Sequence, residues 1–188
     1  MISFKLKQEI KADLHRIYPG RFSYKKLFSA VLRTKGFKYM LMLRLKSHPN
    51  PLISLPTGFI KRILGYRYGF QIPSNIPIGK GFFIGHFGTI VVSIYASFGN
   101  NCNIAHNCTV GASGINKQKK APQIKDRVWI GAGAILVGDI VVGPNVVIAP
   151  NAFVNFDVPP HSLVIGNPGK VIAKHNLTLK YINNEWVE

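Results

Sequence analysis

Two histidines in this chain stand where chemistry is plausible on type and spacing. His86 sits in Phe83-Ile84-Gly85-His86-Phe87-Gly88-Thr89-Ile90-Val91-Val92, a glycine-rich apolar run, and His106 follows twenty residues later in Ile104-Ala105-His106. An imidazole titrates near neutral pH, so it can take a proton from a weakly acidic group and hand it on. Asp126, in Ile124-Lys125-Asp126, holds the same place in its own segment and is a third candidate.

The elements that must position these residues follow from a repeat. From about residue 72 an aliphatic or aromatic residue followed by a small one recurs every six positions: Ile78-Gly79, Ile84-Gly85, Val92-Ser93, Phe98-Gly99, Ile104-Ala105 and Val110-Gly111. The rhythm resumes at Ile124 and runs through Ile130, Leu136, Val142, Ile148 and Val154. Period six predicts three short strands per coil, the coils stacking as a triangular prism with the leading aliphatics inside. Cys102 and Cys108 occupy matched slots of the repeat, so they read as small core filler and not as a disulfide or half of a metal site.

Two departures mark the functional edge. Ile84 to Val92 spans eight residues, which adds a two-residue bulge at His86, and Val110 to Ile124 spans fourteen, which makes an excursion loop at 113–122. Ile84 and Ile104 are three repeats apart, one full coil, so His106 is expected to stack beside His86. Asp126 comes next in that row if the loop replaces a single repeat. An edge ladder one strand spacing apart does not converge on an ion, and no metal site is expected.

The first 70 residues are different in kind. Leu6, Ile10, Leu14 and Ile17 have helical spacing, Ser23 can cap a helix running to about Ser47 with a break at Gly36, and a third helix is expected over roughly 52–66 despite Pro56 and Gly58. The expected organisation is a basic α-helical region at 1–70, a β-helix domain at 71–173 and a tail at 174–188. Lys and Arg number 24 against 7 Asp and Glu, a net charge of +17, and residues 1–70 carry most of the surplus. Such a charge points to an anionic neighbour. No helix-turn-helix, RNP-like or zinc-finger pattern is present, so nucleic acid is not the expected partner. Phe37, Tyr39 to Leu43 and Leu45, interleaved with lysines and arginine, read either as a core helix or as an interfacial element on anionic lipid. No apolar run approaches the roughly 18 residues of a spanning helix, and Met1 to Lys7 lacks the features of a secretory signal. A cytoplasmic location, in one reading at the inner face of the membrane, is therefore expected.

Over roughly residues 70–173 the sequence resembles the hexapeptide-repeat acyltransferases, and within them the serine acetyltransferase-like branch that includes O-acetyltransferases of surface polysaccharides. The resemblance rests on Ile84 to Val92, Val110-Gly111-Ala112-Ser113-Gly114, Val128 to Ala134, and Val158-Pro159-Pro160 with Gly166 to Ile172. It implies a left-handed parallel β-helix, a homotrimer, and acetyl-CoA as acyl donor. His86 matches the family's catalytic histidine, with His106 placed to assist it. By the same resemblance CoA meets Gly111, Ala112, Ser113, Ala132 and Pro150, and Lys170 reaches its phosphates. Where the serine enzymes carry acids around the catalytic histidine, this chain has Gly85 and Gln71, and their Arg-His before the loop proline is Lys120-Ala121. Those departures disfavour a free amino acid and lead to the expectation of a saccharide acceptor held near Gln71, Lys120 and Asp126, with Lys117 and Lys119 attracting an acidic sugar. Serine O-acetyltransferase is the alternative, and a catalytically silent trimer acting as scaffold is the third reading.

Overall fold

The computed structural model describes residues 3–113 and 120–187. Four helices come first: α1 (Phe4–His15), α2 (Tyr24–Arg33), α3 (Lys35–Lys46) and α4 (Pro51–Tyr68). Ser23 does cap a helix, its side chain accepting from the Lys26 amide. The break comes at Thr34, which is extended, and not at Gly36. Gly36 lies inside α3 for a packing reason, since a Cβ there would lie 2.1 Å from the Ile84 carbonyl oxygen. Helix α4 runs unbroken through Pro56, with Asn50 capping its first turn and Gly69 at φ 78° closing it.

The strands form a three-sided prism. One face comprises β1 (Phe70–Gln71), β3 (Ile90–Val92), β6 (Cys108–Gly111), β9 (Ile135–Val137) and β12 (Phe153–Val154). The second comprises β4 (Ser97–Phe98), β7 (Gln123–Ile124) and β10 (Val141–Val142). The third comprises β2 (Phe83–Ile84), β5 (Asn103–Ile104), β8 (Trp129–Ile130), β11 (Val147–Ile148) and β13 (Ser162–Ile165), closed by the antiparallel β14 (Lys170–Ala173). All other pairings are parallel and in register, Ile84 against Ile104, Ile104 against Ile130, and Ile130 against Ile148. The leading aliphatics of the repeat are fully buried at these positions, so the interior is a stack of like side chains. At several corners that follow the second and third faces, the third residue after the leading aliphatic has positive φ, as at Asn101, Asn107, Arg127, Asn145 and Asn151. Asparagine tolerates that left-handed conformation better than most side chains, which is why it holds four of these five positions.

Helices and prism share one core. Tyr39, Met40, Leu43, Leu64 and Tyr68 belong to the same buried cluster as Phe70, Ile84 and Ile90. Helix α3 is thus the core helix of the two readings offered for it, with Phe37, Tyr39, Met40 and Leu43 buried. Among the described residues no helix is long and apolar enough to cross a membrane. Buried polar side chains fix the join. Arg44 forms a two-pronged pair with Asp13 at 3.0 and 3.2 Å and donates to the carbonyls of Ile78 and Gly79. Asp13 also accepts from the Phe82 amide. Arg16 donates to the Gly81 carbonyl and to Asn103 Oδ1. After β14 the chain folds back over the third face, with Tyr181 against Trp129 and the Trp186 amide donating to Asn101 Oδ1.

Both cysteines are free and buried. Burial pushes the Cys102 thiol up to about 12 and the Cys108 thiol to about 11. Neither forms the reactive thiolate at neutral pH. The folded protein is therefore expected to give no reaction with a disulfide reagent at pH 8, and two thiols after unfolding. A fast-reacting thiol in the folded state would contradict the packing.

Candidate active site

The bulge between β2 and β3 is built from both sides. Gly88, at φ 139°, donates its amide to the Tyr68 carbonyl at the end of α4, and a Cβ on it would come within 2.9 Å of the His106 Cβ. Gly69 packs just as closely against the Gly88 carbonyl. Two glycines at one crossing let the helix terminus clamp the corner and turn the His86 side chain outward. His86 is exposed and His106 half-buried, with ring centroids 5.9 Å apart and planes at 86°. His106 Nδ1 is buried and has no hydrogen-bond partner among the described residues.

The register places Ala132 and Pro150 in the same corner row, two residues beyond Ile130 and Ile148. Gly111, Ala112 and Ser113 lie on the next edge, where β6 ends and the Ser113 amide donates to the Lys120 carbonyl at 3.3 Å. A face of six residues separates the two edges, roughly 15–20 Å at the rise of a strand. One chain therefore presents its histidines and its Gly111 to Ser113 segment on opposite borders of the face made by β3, β6, β9 and β12. Ala132 and Pro150 carry no polar or bulky side chain to obstruct an extended ligand along the histidine border, and Gly111 leaves its backbone accessible. Lys170 lies exposed on β14 at the far end of the third face.

Asp126 does not join the histidine row. The loop adds eight residues within one repeat interval and does not replace a repeat, so Ile124 pairs with Phe98 and the third corner receives Asp126. There its Oδ1 accepts from the Asn100 amide at 2.7 Å, and its carbonyl accepts from Asn145. It holds coils together and touches neither histidine's row. Lys120 is paired with Asp139 at 2.7 Å, on a surface where both are more than half exposed. Gln71 lies exposed on β1 and lines a groove of about 930 Å³ between α4 and the first coil, with Lys46, Lys61, Arg62 and Tyr66. Lys117 and Lys119 lie outside the described residues. Among the described residues no cluster of His, Cys, Asp and Glu has the arrangement of a metal site.

Sequence reasoning missed Lys35. It opens α3, and its Nζ lies 3.5 Å from the centroid of the Phe87 ring and 5.9 Å from that of Tyr68. Only the packing of Gly36 on Ile84 reveals that α3 begins beside the histidine corner.

Residues 121–155 match the family model described as bacterial transferase hexapeptide (six repeats). A serine acetyltransferase of Bacillus subtilis is 28% identical over 170 residues, covering 88% of this chain and 77% of the relative. One from Mycobacterium tuberculosis is 40% identical over 106 residues, covering 56% of this chain and 46% of the relative. The solved serine acetyltransferase of Brucella abortus in complex with coenzyme A superposes with a TM-score of 0.73 at 25% identity, covering 92% of this chain and 69% of that one. The chain carries the hexapeptide-repeat acyltransferase fold. Its prism is thereby the left-handed β-helix. The chain spans less than half of the Mycobacterium relative and about three quarters of the Bacillus one. These relatives are named for serine.

Proposed function

We propose that this hexapeptide-repeat protein transfers an acetyl group from acetyl-CoA to a hydroxyl, with His86 as the general base. The observation that carries the reading is the histidine corner itself: an exposed imidazole on a clamped bulge, with a second imidazole 5.9 Å away in the next coil. The hydroxyl oxygen attacks the thioester carbonyl as its proton passes to the His86 imidazole. When the tetrahedral intermediate collapses, the carbon–sulfur bond breaks and the imidazolium returns the proton to the thiolate, leaving ester and free CoA. His106, with one ring nitrogen buried and unpartnered, steadies the His86 ring or the acceptor.

The acyl donor is proposed to lie along the face bordered by the two edges. Because one chain carries histidines on one border and Gly111 to Ser113 on the other, a homotrimer would bring these borders of neighbouring chains together around one donor. Lys170 would meet the donor's phosphates as a point charge.

Serine is the first acceptor to consider, on the names of the relatives. A saccharide hydroxyl is the second reading, supported by Gly85 and Gln71 where carboxylates would receive an ammonium group. The test is CoA thiol release from acetyl-CoA with serine, nucleotide sugars and lipid-linked oligosaccharides. Saturable turnover with serine at least tenfold more efficient than with any sugar supports serine, and the reverse supports the saccharide. Absence of release with every acceptor overturns the transferase reading.

A further inference from the structure

Among the described residues, the corner that bears His86 holds a cation and lacks a carboxylate. The sequence has seven acidic residues, and the six described ones are all engaged elsewhere. Glu9 and Asp13 face Arg44, Asp139 pairs with Lys120, and Glu185 pairs with Arg127. Asp126 and Asp157 accept from backbone amides of the Asn100 and Val141 positions. Lys35 pairs with no acid among the described residues. Its ammonium is held over Phe87, the residue that follows His86 and is itself 59% exposed.

The position of Lys35 is fixed from behind. Gly36 is pressed on the Ile84 carbonyl, so the first turn of α3 cannot slide relative to the strand that ends at the bulge. The coil order then separates two sides of His86. His106, Ala132 and Pro150 follow in successive coils on one side, the border along which the donor is proposed to run. Lys35 comes from the helices that cover the first coil, on the other side. A cation there stands on the side of His86 away from the proposed donor.

We infer that Lys35 is the anion-recognising residue of the acceptor site, and that the acceptor carries an acidic group, a carboxylate, close to the hydroxyl that is acetylated. This rests on the transferase reading above and narrows its acceptor class. The Phe87 ring orients the ammonium by cation–π attraction without neutralising it, as a carboxylate would. The same chemistry is offered by an amino acid such as serine and by an acidic sugar, and the two are separated by the arms of the test.

The experiment compares wild type and Lys35→Gln with two matched pairs of acceptors: L-serine against L-serinamide, and glucuronate against methyl glucoside. Turnover is followed by thiol release, and binding by titrating the His86 imidazole proton in NMR spectra. Lys35→Gln is expected to lower kcat/KM for the carboxylate member of the accepted pair by about tenfold or more, the size of a lost charge-assisted contact. The neutral member and the KM for acetyl-CoA should stay within about twofold, and Lys35→Arg should restore part of the loss. Which pair responds identifies the source of the carboxylate. An equal fall with both members, or no fall, overturns the role of Lys35. If wild type transfers to no acceptor, the transferase reading fails. The NMR titration still decides for Lys35: wild type must bind the carboxylate member more tightly and Lys35→Gln must abolish that preference, and an equal affinity in wild type refutes it.

Discussion

His86→Ala is expected to lower acetyl transfer by about 10²- to 10⁴-fold, the range of a positioned general base, while CoA still binds. The effect should fall on kcat, because in the proposed mechanism the imidazole acts on the proton in flight while the donor lies along backbone and small residues elsewhere. The bulge tolerates the change, since His86 is exposed and the corner is held by Gly88 and Gly69, which the substitution leaves alone. Circular dichroism and thermal melting should therefore match wild type. His106→Ala should cost less, because His106 is half-buried one coil away and is proposed to act through or beside His86. A His86→Ala protein with wild-type turnover on the accepted substrate would remove the assignment.

The second large effect is on stability. Asp13→Ala leaves the Arg44 guanidinium buried with, among the described residues, the Ile78 and Gly79 carbonyls and Glu9 at 3.8 Å as its partners. Breaking a buried pair by removing one member costs about 3–5 kcal/mol, because the remaining charge stays desolvated. The Phe82 amide also loses its acceptor. Urea unfolding should show a lower midpoint at unchanged slope, since the surface exposed on unfolding is the same. Replacing both members, Asp13→Leu with Arg44→Met, should recover much of the loss. If Asp13→Ala unfolds at the wild-type midpoint, the join between helices and prism does not depend on this pair.

These two residues show how unevenly the sequence reports on the protein. His86 was legible because a solenoid announces its own irregularities. A strict period of six makes a two-residue excess visible, and the same count put His106 beside it in the next coil. Asp126 was misplaced by that count for a physical reason: a loop leaving a prism edge consumes residues without consuming a coil position, and sequence spacing cannot distinguish insertion from replacement. The strand register decided it, pairing Ile124 with Phe98. Asp13 and Arg44, thirty-one residues apart on different helices, had no period to connect them.

The sequence by itself determined the prism, its buried aliphatic rows, the corner carrying His86 and the helical nature of the first 70 residues, because each rests on short-range periodicity. Only the tertiary structure decided that α3 is a core helix, that the C-terminal residues fold back over the third face, and that Lys35 stands over Phe87. Those facts depend on where the helices dock on the first coil. That docking is set by close contacts such as Gly36 on the Ile84 backbone and Gly69 on Gly88, where a glycine without a side chain lets residues apart in sequence meet.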